Sequence, residues 1–420
     1  MKRKTIILFI ALIFLCSNFS IELHAKKKSV IALVGGTLID GTGSSPIEDI
    51  TILIEDDKIK VIGPKNEVNI PEEAKKIYVS GKWVLPGFID LHIHLTYPTS
   101  TEMYYDDSGS LQTIRALHVM NKYLPTGVTS VRDVSSDLEA MKALKRAETL
   151  GLTNTIRLFS VGEGIVSTGG HGEMLSATQA ADGPDEWRKA VRKMKKAGFG
   201  YIKILPPYTV EEVIAAVDEA KTQGMLIMSH CGSDLDFETP YMSRRAVENG
   251  VQCIEHMNKI EDEVLEMMAE KGVHLVPTVG IIKHIRKLYG NRELPERMVP
   301  LETYEGSFKK AKSLGIVMGI GTDFVGPMTK MYPKPYFMEM KYFVELGMSP
   351  METIVCATKN GGIILGKEDQ LGTIEPGKLA DIQVIRGNPL ESFDVLASPE
   401  IVIIGGKIHH FPENQPRKNR

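Results

Sequence analysis

Between residue 86 and about residue 366 the chain alternates two textures. Short apolar runs, "GFIDLHIHL", "VTSVRDV", "IRLFSVG", "GYIKIL", "MLIMSHC", "QCIEHM", "HLVPTVG" and "VMGIGTDF", are separated by amphipathic stretches such as "DEWRKAVRKMKKAG" and "TVEEVIAAVDEAKTQG". Strand-then-helix alternation of this kind implies a parallel sheet with helices laid over it. Eight such units over roughly 240 residues match a (β/α)8 TIM barrel, whose active site lies at the carboxyl ends of its strands. An open doubly wound sheet is the alternative, but no Gly-rich phosphate loop follows the first strand.

The flanks read differently. Residues 29 to 85 hold short β-branched runs between turns, "VIALVGGTLID", "DITILIEDDKIKVIG" and "KKIYVSGKWVL", and the same texture returns in "GTIEPGKLADIQVIRG" and "IVIIGGKIHHF". These are small antiparallel strands. Both ends of the chain are therefore expected to build one β-sandwich domain, 29–85 plus 367–412, beside a barrel of residues 86–366.

Ahead of this lies a different pattern. Met1 to Lys4 is basic, Ile6 to Leu15 is apolar, and Ala25 stands before Lys26-Lys27-Lys28, which together read as a secretory signal over residues 1–25. The protein is expected in the periplasm or outside the cell. The apolar run is shorter than the ~20 residues of a comfortable membrane span, so no stable span is expected after cleavage. A lipoprotein anchored at Cys16 is the alternative, disfavoured by the bulky Leu15 before it.

Composition changes the picture little: 420 residues, 43% hydrophobic and 25% charged, is an ordinary globular balance. A formal charge of −3 offers no basic surface for nucleic acid. Of four cysteines, loss of the signal leaves Cys231, Cys253 and Cys356, an odd number with no framework spacing. Stability must come from packing and metal. Homo-oligomerisation is left open.

The candidate chemistry sits at the strand ends. In an extended chain Asp90, His92 and His94 share one face while Ile89, Leu91 and Ile93 share the other, so the two imidazoles converge. Neutral imidazole is the commonest metal ligand. Lys203 falls on the fourth strand, His230 on the fifth, His256 on the sixth and Asp323 on the eighth, all toward the same end. Singly each has an ordinary explanation: a strand cap, a satisfied core histidine, a helix N-cap. Jointly they form a nitrogen and carboxylate set of the kind zinc accepts. Lys203 is the oddity, because a buried ammonium beside a dication is strongly disfavoured. Carbamylation by carbon dioxide would turn it into an anionic bridge; a lysine snorkelling to a carboxylate at the barrel mouth is the plainer reading.

These motifs resemble the amidohydrolase superfamily of binuclear metal hydrolases, through "LIDGTG", "VLPGFIDLHIHL", "GVTSVRD", "IKI", "SHC", "EHM", "GTDF" and "GTIEPGKLADIQVI". The resemblance implies two divalent ions, most readily Zn2+. It places His92, His94 and Asp323 on the first and His230 and His256 on the second, with N6-carboxylated Lys203 between them. "STGGHGE", Ser167 to Glu173, resembles the loop of the dipeptidase branch, which cleaves Xaa-Pro and Xaa-Arg dipeptides, and implies that His171 faces the substrate carbonyl. On this reading a shared water of lowered pKa attacks the amide, Asp323 acts as general base and then acid, and His171 stabilises the oxyanion. Tyr208 is a candidate for binding a substrate carboxylate, with packing as its other role. The expected function is an exported zinc dipeptidase or N-acyl amino acid hydrolase, its partner a small-molecule amide or peptide substrate. Alternatives are a lactonase, esterase or phosphoester hydrolase, a mononuclear deaminase of the same superfamily, and a non-catalytic binding protein. The mature chain is predicted to begin near Lys26. N-terminal sequencing checks this: a cytoplasmic product retaining Met1 is the contrary result, and a lipid-modified Cys16 at the start would favour the anchored form.

Overall fold

The structure, a computed structural model, describes residues 28–97, 107–231, 239–257, 260–289 and 301–410. The expected leader and Cys16 lie outside the described residues. Among those described, no helix is long and apolar enough to cross a membrane.

The β-branched runs of both chain ends meet in one sheet of eight strands. Its order is β17-β16-β15-β5-β1-β2-β3, with β4 attached to β1. Here β1 is Val30–Leu38, β2 Ile47–Glu55, β3 Lys58–Pro64, β4 Lys75–Tyr78 and β5 Lys82–Pro86, while β15 is Ile382–Arg386, β16 Ile401–Ile404 and β17 Lys407–His410. The antiparallel pairing of Ile382 with Pro86 and Val384 with Val84 stitches the two ends together. Alternate residues of both ends, among them Ile31, Leu33, Ile52, Ile54, Ile382, Val384 and Ile403, close over one apolar cluster. The ladder connects all eight strands.

The central residues form a TIM-barrel-like α/β fold. One parallel sheet has the order β6-β7-β8, with β6 Phe88–Ile93, β7 Val128–Asp133 and β8 Arg157–Ser160. The other runs β10-β9-β11-β12-β13-β14. Its strands are β9 Gly164–Val166, β10 Thr178–Ala180, β11 Tyr201–Leu205, β12 Leu226–His230, β13 Cys253–Glu255 and β14 His274–Val276. Helices follow most strands, and their starts are locally encoded. Thr209 and Glu212 form a reciprocal capping box at the head of Val210–Thr222.

Seven of the eight predicted runs are strands, and the eighth differs. Residues 316–323 make only an isolated bridge, Leu275 to Met318. The segment still fills the gap between the two sheets, because Gly319 N–H donates to Leu275 O at 3.0 Å and Leu91 N–H donates to Ile320 O at 2.9 Å. On the opposite side the predicted run "IRLFSVG" ends at Ser160, and β9 starts a new ladder after Gly162. The parallel strands thus form two separate open ladders, and the segment 316–323 spans the gap between β14 and β6 through several backbone hydrogen bonds.

At the first seam the backbone of residues 319–321 lies against β6 with no room for side chains. A Cβ on Gly321, whose φ is not left-handed, would stand 2.4 Å from Val276 and 2.8 Å from the Cβ of His92. Gly321→Ala is therefore predicted to overpack the seam and cost about 1–3 kcal/mol. Urea unfolding of variant and wild type checks this, and an unchanged midpoint would show that the seam has slack.

Candidate metal centre

Five imidazole and carboxylate side chains and one amine, all predicted from spacing, converge at the carboxyl ends of the strands. His92 lies within β6 and His94 just beyond it, Lys203 on β11, His230 at the end of β12, His256 after β13 and Asp323 in the seam segment. Each histidine and Lys203 is buried. His92 Nε2 and His94 Nε2 both lie 3.3 Å from Asp323 Oδ1. His256 Nε2 lies 3.1 Å from His230 Nδ1. Two ligand atoms on one tetrahedral zinc, at ordinary bond lengths, sit about 3.4 Å apart. The observed separations fit that spacing, in two neighbouring groups.

In His92, His94 and His256 the other ring nitrogen is held by a partner, which fixes which nitrogen points inward. His92 Nδ1 is 2.7 Å from Glu255 Oε2, His94 Nδ1 is 2.9 Å from Ser135 O, and His256 Nδ1 is 2.7 Å from Thr278 Oγ1. Donation of each Nδ1–H outward leaves Nε2 with its lone pair aimed at the cluster, as a metal ligand requires. Atoms of His92, His256 and Asp323 lie within 4.8 Å of one another and could hold an ion.

Electrostatics favour the same states. Burial would raise the Asp323 carboxyl, but the imidazoles of His92 and His94 outweigh it and hold it well below the usual range. Burial pushes His256 down, with His230 adding to the shift, so the imidazole is neutral. Lys203 Nζ is fully enclosed with no hydrogen-bond partner among the described residues. Burial lowers its pKa against the pull of Glu255 and Asp323. An amine without a partner in this place is what a carbamate needs before it forms.

His171 reaches the same cluster from its loop. Its backbone N–H donates to Pro206 O at 2.9 Å, and its ring lies 4.2 Å from that of His230. Of the two roles expected for Tyr208, carboxylate binding and packing, its surroundings match packing. It is buried, and its hydroxyl engages Ser229 Oγ at 2.7 Å and Met242 O at 3.1 Å. The residue lies against the helix Thr239–Glu248, whose Met242 and Arg245 bond it, and packs on Trp187. Asp90 also departs from the alternation: its carboxylate accepts from Tyr123 OH at 2.7 Å, from Thr322 and from the backbone N–H of His92 at 3.2 Å, not from either imidazole.

Sequence reasoning missed Glu255, Arg132 and Thr278. The available signal was a charge inside an apolar strand run, Arg132 in "SVRD" and Glu255 in "CIEHM". Burial would raise Glu255, but Arg132 and then His92 hold its carboxyl far below the usual range.

A model of the amidohydrolase family matches residues 83–409. The chain belongs to that family. Its members are metal-dependent, and the donor set above suits a divalent ion. Among curated relatives, the ochratoxinase of Aspergillus niger is 26% identical, covering 92% of this chain and 88% of its own. The imidazolonepropionase of Geobacillus thermodenitrificans is 24% identical, covering 86% and 90%. Among solved structures, a Xaa-Pro dipeptidase with bound methionine in the active site superposes with a TM-score of 0.79 at 29% identity, covering 91% of this chain and 100% of that one. A prolidase-like structure from Bifidobacterium longum, described as a putative prolidase, gives a TM-score of 0.76 at 26% identity, covering 92% and 96%. Dipeptidase-like proteins are thus among the relatives of this amidohydrolase.

Breaking the Arg132–Glu255 pair should be costly. Glu255→Gln keeps the shape but strands the Arg132 guanidinium in a fully buried place, for a loss of about 3–5 kcal/mol at neutral pH. Because the folded carboxyl titrates below its ordinary value, the pair's contribution is complete above about pH 4.3 and is lost only as pH falls through the depressed folded pKa. Denaturant titration at pH 7 measures the loss, and the double variant Arg132→Met with Glu255→Gln should recover part of it.

Proposed function

We propose that this amidohydrolase is a binuclear metal enzyme that cleaves the amide bond of small peptide-like substrates, namely dipeptides or N-acyl amino acids. Its relatives support the coarser statement, a hydrolase of carbon–nitrogen bonds. The observation that carries the finer one is Lys203, a fully buried amine without a hydrogen-bond partner inside a cluster of five nitrogen and carboxylate ligands. A one-metal site, such as a mononuclear deaminase would have, leaves that amine without a role.

In this reading His92, His94 and Asp323 would hold one ion and His230 and His256 the other, with N6-carboxylated Lys203 as the further anionic ligand. Divalent ions, with zinc the proposed metal, supply a water of lowered pKa and polarise the scissile carbonyl. Asp323 accepts the proton of the attacking water, for which its depressed pKa keeps it ionised at neutral pH. It then returns that proton to the leaving nitrogen. His171, on the mouth side of His230, donates to the carbonyl oxygen as negative charge develops there. The proposal places this reaction outside the cytoplasm, on the pattern of residues 1–25.

Zinc-loaded enzyme against a library of dipeptides and N-acyl amino acids, read by released amine, tests the activity. On the best substrate, Asp323→Asn should retain metal while turnover falls roughly 10²–10⁴-fold. His171→Ala should lose about a hundredfold with metal content unchanged. Lys203→Ala should lose at least one ion, with part of the activity restored by small carboxylic acids. Two bound ions and full turnover in Lys203→Ala would rule out the carbamate, and full activity in His171→Ala would return that loop to a purely structural role.

A further inference from the structure

At the opposite, amino end of the barrel strands lies a second cavity, of about 630 Å³. It opens where β8, β11 and β12 begin, against residues 365–371, which lead from the barrel toward the last sheet strands. Pockets at such junctions are common ligand sites. The wall is mixed: Phe159, Phe199, Tyr201, Leu226 and Leu371 give it an apolar, partly aromatic portion, and polar atoms supply nearly as much of the rest. Lys145, Lys195 and Lys367 stand around it, with Glu148 as the acidic member of the lining.

The cations are not equally committed. Arg157, also in the lining, is spent on Asp381 through two hydrogen bonds of 2.8 and 3.0 Å. Lys145 caps the carbonyl of Gly198, and Lys195 donates to Gln223 O at 2.6 Å. No hydrogen bond or ion pair of the Lys367 ammonium occurs among the described residues. The space itself is also unclaimed. Gly200 has an ordinary φ, so nothing in the backbone demands glycine there, and a Cβ built on it meets nothing within 4 Å.

We infer that this cavity is a binding site for a small organic anion with an apolar body, an aryl- or alkyl-carboxylate. The apolar portion of the wall takes the body, and a carboxylate at the rim meets Lys367, with Lys145 and Lys195 adding to the field. A polyphosphate suits it poorly, since it would leave the aromatic wall uncovered and there is no free Arg fork to receive it. The site is separate from the metal cluster and does not depend on the proposed reaction.

Isothermal titration of the metal-loaded protein with 4-phenylbutyrate, beside the uncharged 4-phenylbutanol, tests this. Wild type should bind the acid, and the alcohol about tenfold more weakly, one charge-assisted hydrogen bond being worth roughly that factor. Gly200→Leu should fill the cavity and abolish binding of both. Lys367→Glu, which disturbs no described contact of the side chain, should weaken the acid at least about tenfold and leave the alcohol unchanged. Both variants should keep wild-type amide turnover. Absence of binding to wild type, equal affinity for acid and alcohol, or affinity unaltered in both variants would overturn the assignment, the last by locating the probe elsewhere. If Gly200→Leu does not fold, Lys367→Glu decides alone.

Discussion

One carboxylate organises the middle of this molecule. Glu255 is wholly buried and divides its two oxygens, Oε2 to His92 Nδ1 at 2.7 Å and Oε1 to the Arg132 guanidinium at 2.5 Å. Arg132 in turn donates through Nε to Leu91 O at 2.7 Å, so three strands are tied around a single charge pair. An interior carboxylate or guanidinium alone would be prohibitively costly. Paired, they set the orientation of His92, supply negative potential beside Lys203, and tie β7 and β13 to β6 at the depth where the ligands emerge.

The cluster also requires backbone shapes that side-chain-bearing residues seldom adopt. His256, Thr278 and Asp323 have φ of 71°, 51° and 53°, in the left-handed region. His256 and Thr278 sit just past strand ends and Asp323 at the end of the seam segment, and each conformation is pinned by its surroundings. Asp323 N–H donates to His92 O at 2.8 Å, and His256 N–H to Val276 O at 2.8 Å. After Thr278, the N–H groups of Val279 and Gly280 donate to the buried carboxylate of Glu339. Burial pushes that carboxyl up to about 8 despite these donors. Such strain costs on the order of 1–3 kcal/mol per residue and persists where neighbours over-determine it. Here it turns the side chains of His256 and Asp323 inward toward the centre.

The same logic explains why the eighth segment is not a regular strand. Residues 316–323 must bridge β14 and β6, then turn sharply at Asp323. Thr322 is anchored by its N–H and hydroxyl on the Asp90 carboxylate, which is why Asp90 leaves the face it would share with His92 and His94 in an ideal strand. The β6–β7 register shifts between Asp90 and Ile93, breaking the simple alternation there.

What the sequence by itself determined is periodic or local. Apolar runs and amphipathic stretches marked the barrel-like core, β-branched runs marked the strands at both ends, and Thr209 with Glu212 wrote their own helix start. The spacing of His92 and His94, and the position of Lys203, His230, His256 and Asp323 at the ends of recognisable runs, made the cluster legible because strand direction alone sends those ends to one side. What only the tertiary structure decided is which polar groups meet. Arg132 and Glu255 are 123 positions apart and look like isolated charges until the strands register. Tyr208 stands near Lys203 in sequence, yet the chain turns it against a helix, where Ser229 and Met242 satisfy its hydroxyl. Likewise the seam at residues 316–323 looked like any other strand, because its departure comes from the backbone of β6 and β14 crowding it. Periodicity reports what each segment can bury; partnership depends on packing between segments distant in sequence.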